Sequence, residues 1–391
     1  MFPDGRAALH FKRAALKASG FMSMISKRTV TLPSLRGGEG QNLHVSGTER
    51  GLKLVAIGGG TGLSTVLAGL KRLVDRRDGG GQWLDALAAI VTVSDDGGSS
   101  GRLRDELQIL PPGDIRNCMV ALSEDSTLMG RLFRYRFRGD GHLGGHSFGN
   151  LFLAALTDVT GDFTEAVRLS SEVLASKGRI YPATLNDVRL VAELEDGREV
   201  FGETNITASH GTIRRLRLEP EQCLPLPEAL TALRAADIIT VGPGSLYTSI
   251  IPNLLVSRVA ETIGESEAVK IFICNLMTQP GETDGYTARQ HLKTVKHYAP
   301  AINFDYVIVN NRHITDEQAL LYRAEGAHQI GLTDHLFEEE FSHEAEIVRA
   351  DLLDDGEKVR HSPEKLARVI LACYEQASSA SAAPRPFHSL A

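Results

Sequence analysis

Only four cysteines are present, Cys118, Cys223, Cys274 and Cys373, and they stand so far apart that no metal-ligand spacing can be drawn from them. Reduced, buried thiols are the expectation, and with them a cytoplasmic setting. No apolar segment approaches the roughly twenty residues that a bilayer-spanning helix requires, so no membrane insertion is expected. An excess of positive charge is missing too. Lys and Arg number 42 against 49 Asp and Glu, and the net charge of -7 gives no whole-chain electrostatic reason to hold nucleic acid. Neither a residue-period repeat nor a sustained coiled-coil pattern occurs.

What is abundant is glycine. With 38 glycines against 15 prolines, 42% hydrophobic and 23% charged residues, the composition is that of a turn-rich soluble α/β protein. Residues 1–50 are basic and lack a clear signal-peptide core, so they are expected to form a flexible extension. Met22 and Met24 also offer later translation starts. One α/β domain is expected over 51–375, and the small-residue, proline-containing stretch 376–391 is expected to be a loose tail.

The apolar run Leu52–Ile57 meets three glycines and is followed by apolar residues at helical intervals from Leu63 to Leu73, which predicts strand, tight turn and helix. LAAIVTVS returns as a buried strand. A helix is then expected over RLRDELQIL, a break at Pro111-Pro112-Gly113, and a second helix capped near Asp114. Residues 179–220 change character: period-two stretches around an Asp196-Gly197 turn predict a small antiparallel β insertion. The α/β rhythm resumes with strands at DIITV, AVKIFI and FDYVIVNN. The fold class expected is a modified Rossmann-like, mostly parallel sheet flanked by helices, with that antiparallel insertion.

Chemistry is expected at the strand exits, which in a parallel sheet converge on one crevice. Gly58, Gly59, Gly60, Thr61 and Gly62 form the first loop, where glycines let backbone N–H groups approach an anion at a helix start. The GKS or GKT ending of a P-loop is missing, and Leu63 stands where a dinucleotide fingerprint has its last glycine. Asp95 and Asp96 end the second strand; carboxylates there suit sugar hydroxyls or a divalent ion, or cap their own loop. Ser99, Ser100 and Gly101 add donors, and Arg102 or Arg104 can balance phosphate charge. In the third loop Asn150 either reads a base or caps its helix, while His142 and His146, four apart in a loop, make a poor metal pair. Gly242, Gly244 and Ser245 flank Pro243 in a fixed turn suited to a second anionic group, and Ser245 has no nucleophile motif around it. A polar wall follows from Asn275, Thr278, Gln279, Glu282, Thr283 and Asp284, with Asn310 and Asn311 at a later strand end. No catalytic residue and no metal ligand can be assigned by spacing.

GGGTGLS, TVSDDGGSSGRLR, PPGDIRNC, HSFGNLF, VGPGSLYTSIIPNLL, MTQPGETDGYT and VIVNN, in that order, resemble the YvcK-like gluconeogenesis factor family, within the wider CofD-like superfamily of 2-phospho-lactate transferases. The resemblance spans roughly residues 52 to 335. It implies a cytoplasmic nucleotide-sugar-binding protein that recognises UDP-N-acetylglucosamine or related UDP-sugars and supports cell shape and envelope synthesis during gluconeogenic growth. It also implies self-association and a cell-envelope regulatory partner. The superfamily alternative is a Mg2+-dependent transferase that moves a phospholactyl group from a nucleotide-activated donor.

Overall fold

The structure, a computed structural model, describes residues 30–31, 50–74, 83–124, 128–331, 340–341 and 344–382. Apart from residues 30–31 and Arg50, the expected N-terminal extension lies outside the described residues. Eleven strands are defined among them: β1 Val30–Thr31, β2 Leu52–Gly58, β3 Leu84–Val91, β4 Arg179–Pro182, β5 Arg189–Leu194, β6 Glu199–Phe201, β7 Ile213–Glu219, β8 Ile238–Val241, β9 Val269–Ile273, β10 Tyr306–Asn310 and β11 Glu346–Ala350.

The large sheet runs β1-β11-β10-β9-β8-β2-β3-β4, a seven-stranded sheet extended by the two-residue β1. Its pairings are all parallel. The sequence reason is visible in β8 (IITV) and β10 (YVIVN), which are buried throughout; strands covered on both faces read as continuous apolar runs. The helix Gly60–Leu70 covers one face through Leu63, Val66, Leu67 and Leu70, spaced three and four apart and each no more than 1% exposed. Each such side chain contributes roughly 1.5–3 kcal/mol relative to exposure.

Three boundaries differ from the sequence expectation. The β insertion expected over 179–220 divides: Arg179–Pro182 pairs with β3 as the edge of the large sheet, and only β5, β6 and β7 form the antiparallel sheet, ordered β6-β5-β7. Its inner residues Leu190, Leu216 and Leu218 join the same hydrophobic core as the large sheet. The helix expected from Arg102 begins at Gly98, because Ser99 and Ser100 are buried under neighbouring elements and the packing overrides their turn preference. The last helix, Pro363–Ala382, runs on through Ala377–Ala382, whose alanines and serines carry no breaker before Pro384.

Chain order makes the crevice. From β2 the chain builds outward to β3 and β4, then places β8 on β2's other flank and continues through β9, β10 and β11. The exits of β2 and β8 therefore flank a topological switch point, where ligands of open α/β sheets bind. Among the described residues no helix is long and apolar enough to cross a membrane.

Candidate functional site

The loops after β2 and β8 interlock at the switch point. Gly58 ends β2 buried, its carbonyl accepting from Thr92 N–H at 3.2 Å and from Asn253 Nδ2 at 3.0 Å. Gly59 precedes the helix in extended conformation, and Gly60 takes φ +58°, a left-handed conformation that a β-branched residue adopts only under strain. Thr61 is exposed in the first helical turn. Gly62 has a different duty: a Cβ there would stand 2.2 Å from the Pro243 carbonyl oxygen, so its missing side chain lets the helix rest on the β8 loop. In that loop Gly244 is clamped by Asn275, which accepts from its N–H at 3.0 Å and donates to its carbonyl at 2.8 Å. The Ser245 carbonyl accepts from Ser249 and Ile250 N–H, opening a π-helical turn over Leu246–Ile250. The Ser245 hydroxyl has no hydrogen-bond partner among the described residues.

Helix beginnings converge here. The helices Gly60–Leu70, Gly98–Leu107 and Gly113–Leu122 all start without a side-chain cap. Three helices elsewhere are capped by Asp162, Thr287 and Thr315, while Phe148–Thr160, Pro227–Ala235 and Val259–Glu265 also start without a side-chain cap, so what sets the three apart is that their starts meet. The uncapped starts are close together: a Cβ at position 113 would lie 2.3 Å from Ser100 Oγ and 2.8 Å from Asp95 Oδ2, and one at position 59 would lie 2.5 Å from Asp114 Oδ2. Asp114 takes the Gly60 N–H; the remaining first-turn N–H groups and the aligned dipoles at one place suit a diphosphate.

The two strand-tip aspartates part company. Asp95 Oδ1 accepts from Gly97 N–H at 2.9 Å, a local turn, while its other oxygen faces the start of helix Gly113–Leu122. Asp96 Oδ1 accepts from Thr204 N–H at 2.9 Å and Thr204 Oγ1 at 2.8 Å, anchoring the helix Glu203–Ala208 that leads from β6 to β7. That helix also donates from Thr207 Oγ1 to Glu282 Oε1 at 3.2 Å, so it lies between the β3 exit and the β9 exit. Asp96→Asn is thus expected to speed amide exchange over residues 202–210 without changing the Mg2+ dependence of ligand binding; hydrogen–deuterium exchange and titration with and without Mg2+ check both halves.

Ser99 and Asn150 are 5% and 1% exposed and face each other. Asn150 Nδ2 donates to Ser99 Oγ at 3.1 Å, and the same oxygen lies 3.0 Å from His146 Nδ1. Asn150 is neither a cap nor at the surface: Ser147 holds the N-cap position of helix Phe148–Thr160. His142 is exposed and His146 buried, so the structure does not pair them.

Asp114, Glu203 and Glu282 carry much of the electrostatics. Burial, then the Asp95 charge, push the Asp114 carboxyl up to about 6, although it accepts from the Gly60 backbone. Burial and the surrounding Asp95, Asp114, Glu282 and Asp96 hold Glu203 well above the usual carboxylate range. Burial raises Glu282 to about 7; its Oε2 has no partner while Oε1 accepts from Thr207, Thr248 and Gln279. A carboxyl raised on folding favours the folded state at low pH, and that contribution is lost as pH rises through its folded pKa. Glu282→Gln mimics the neutral form, so its melting temperature relative to the parent is expected to be higher at pH 8.5 than at pH 5. The buried His361, pushed down to about 4 by desolvation, contributes equally to both chains and cancels. A difference that is flat with pH would contradict the burial of an ionisable Glu282.

Asp114 had a readable signal, an acid placed directly after the Pro-Pro-Gly break in PPGDIRNC. Glu203 had none, since it comes from the β insertion. Among the described residues no group of three or more His, Cys, Asp or Glu is arranged to hold a metal. Asp95 and Asp114 nevertheless fit a Mg2+ ion that keeps its waters and takes phosphate oxygens, which is how this ion is usually held. A cavity of about 420 Å³ opens further along the same edge, at the exits of β9 and β10, lined by Met277, His313, Asp316, Arg323 and His328. It includes none of the glycine-loop residues.

A family model described as 2-phospho-L-lactate transferase CofD matches residues 54–353. The chain is 46% identical over 321 residues to the gluconeogenesis factor of Bacillus subtilis, covering 82% of this chain and 97% of that protein. It is 43% identical over 326 residues to the gluconeogenesis factor of Halalkalibacterium halodurans, covering 83% and 98% respectively. A solved structure of a UPF0052 family member from Bacillus halodurans is similar with a TM-score of 0.76 and 42% identity, covering 82% of this chain and 99% of that one.

Proposed function

Because this chain belongs to the gluconeogenesis factor family and carries its CofD domain, we propose that it is a nucleotide-sugar-binding regulatory protein. Its ligand is UDP-N-acetylglucosamine or a related UDP-sugar, and it acts in the cytoplasm to support cell shape and envelope synthesis under gluconeogenic growth. The observation that carries this reading is the meeting of uncapped helix starts at Gly60, Gly98 and Gly113 beside Asp95 and Asp114. Thr61 and Gly62 would offer N–H groups to the diphosphate, and the loop at Gly244–Ser245 would close its other side. The cavity at the β9 and β10 exits gives the sugar or base room. Mg2+ held by Asp95 and Asp114 would neutralise the phosphates.

Calorimetric titration with UDP-N-acetylglucosamine, UDP-glucose and UDP, each with and without Mg2+, tests the reading. Saturable binding of the UDP-sugars is expected; absence of heat for all three would sink it. A second reading, phospholactyl transfer, draws support from Asp114, whose carboxyl near 6 sits in the range of a general base working at neutral pH. Product formation from a nucleotide-activated phospholactate and a deazaflavin acceptor, lost in Asp114→Asn, would favour transfer over regulation.

A further inference from the structure

We infer that Arg102, Arg116 and Arg136 form a second anion subsite, which takes the carboxylate or phosphoryl group of a small acid bound alongside the nucleotide. Only the word alongside rests on the nucleotide reading of the glycine crevice. Arg102 and Arg136 come from separate elements and meet at one loop. Arg102, on helix Gly98–Leu107, donates from Nη2 to the Gly144 carbonyl at 2.8 Å, and Arg136 donates from Nη1 to the Gly145 carbonyl at 3.0 Å. Two guanidinium groups thus hold consecutive carbonyls, each with most of its donors unused. Arg116, on helix Gly113–Leu122, packs against Gly149, four residues beyond that loop, and is 8% exposed. Its Nη2 donates to Asn117 Oδ1 at 2.6 Å, its Nη1 reaches Phe133 O only at 3.5 Å, and its Nε has no partner.

None of the three forms an ion pair with a carboxylate among the described residues; for the exposed Arg102 and Arg136 that is shared with other surface arginines such as Arg138, but the buried Arg116 contrasts with the buried Arg104, which is paired with Asp187. Burial and the charge of Arg136 lower the Arg116 guanidinium to about 10, which marks two like charges held near each other. Holding them together without a contacting counter-ion is unfavourable, and a planar anion in contact with both would relieve it. Asp95 and Asp114 also act on Arg116, but they face the helix starts. The stem of Arg116 is fixed from above: a Cβ at Gly149 would lie 2.8 Å from its Cδ, so the helix Phe148–Thr160 packs directly on it. This gives HSFGN and PPGDIRN a shared purpose, the seating of one arginine. The small number of cations and the acidic chain as a whole favour a small acid over a polyanion.

The test uses the full chain at constant ionic strength, titrated calorimetrically with inorganic phosphate and, separately, malonate, with and without saturating UDP and Mg2+. Binding of at least one probe is expected, and its preference identifies phosphoryl or carboxylate chemistry. Arg136→Gln and Arg102→Gln should each weaken the preferred probe about tenfold, and Arg136→Lys should recover part of the loss. Arg138→Gln, an exposed arginine nearby, should leave it unchanged, and UDP affinity should stay within about twofold in Arg136→Gln, Arg136→Lys and Arg138→Gln. The subsite is overturned if neither probe binds, if Arg136→Gln and Arg102→Gln bind like the parent, or if UDP displaces the probe. Failure of UDP to bind, with the arginine dependence intact, would count against the nucleotide reading alone.

Discussion

Gly62→Ala is expected to remove UDP-sugar binding and to destabilise the fold by on the order of 3 kcal/mol. The added methyl would stand 2.2 Å from the Pro243 carbonyl oxygen and 2.8 Å from the Gly244 nitrogen. Both are backbone atoms, so no rotamer change can relieve the overlap. The β8 loop is itself held by Asn275 on Gly244 and by the Gly242 N–H bond to Ile57 O at 3.0 Å. The helix Gly60–Leu70 must therefore tilt away, taking the N–H groups of Thr61 and Gly62 out of line and disturbing the packing of Leu63 and Val66. Thr61→Val is the matched control, because the Thr61 side chain is exposed and the proposed contact is its backbone N–H. Thermal melts and UDP-sugar titrations of both variants decide the matter. A Gly62→Ala chain with parental melting temperature and parental affinity would show that the interlocked loops are not what shapes the site.

For Asp95→Asn the expected result is a crossing pattern. With Mg2+, UDP-sugar affinity should fall about 100-fold, the scale on which charged ligands of a bound ion act. In EDTA the variant should bind as well as the parent or better, because a carboxylate that repelled the diphosphate has gone. The substitution is mild structurally, since an Asn oxygen can keep accepting from Gly97 N–H as Asp95 Oδ1 does at 2.9 Å. Asp114→Asn should follow Asp95→Asn and additionally relieve the charge burden on Glu203, while taking from Arg116 a carboxylate that stabilises its charge. Equal losses with and without Mg2+ would point to direct contact with the sugar and remove the cation from the proposal.

The large sheet was legible because parallel strands buried on both faces advertise themselves: LKLVAIG, IITV and YVIVN need no partner to be recognised as interior. The glycine loops after them were legible for a similar reason, since glycine is the residue that adopts positive φ without strain and lets a backbone approach within van der Waals contact. Boundaries were less so. GGSSG looks like a loop by composition, yet helix Gly98–Leu107 begins inside it because tertiary burial of Ser99 and Ser100 outweighs their local preference. Ser99 and Asn150 read as ligand contacts from their loops, and the structure turns them toward each other.

By itself the sequence determined the fold class, the family and the strand exits around which a site would gather, because burial pattern and glycine placement are local properties of the chain. Only the tertiary structure decided what each exit does. Asp95 and Asp96 are chemically identical neighbours, and nothing local separates them. Their partners do: Thr204 lies 108 residues from Asp96 in the chain and takes its carboxylate by two hydrogen bonds, while Asp95 is left facing Asp114 and the uncapped helix starts. Carboxylate roles, the three unpaired arginines and the interlock of Gly62 with Pro243 all depend on which distant backbone comes within a few ångströms, a property of packing and not of spacing.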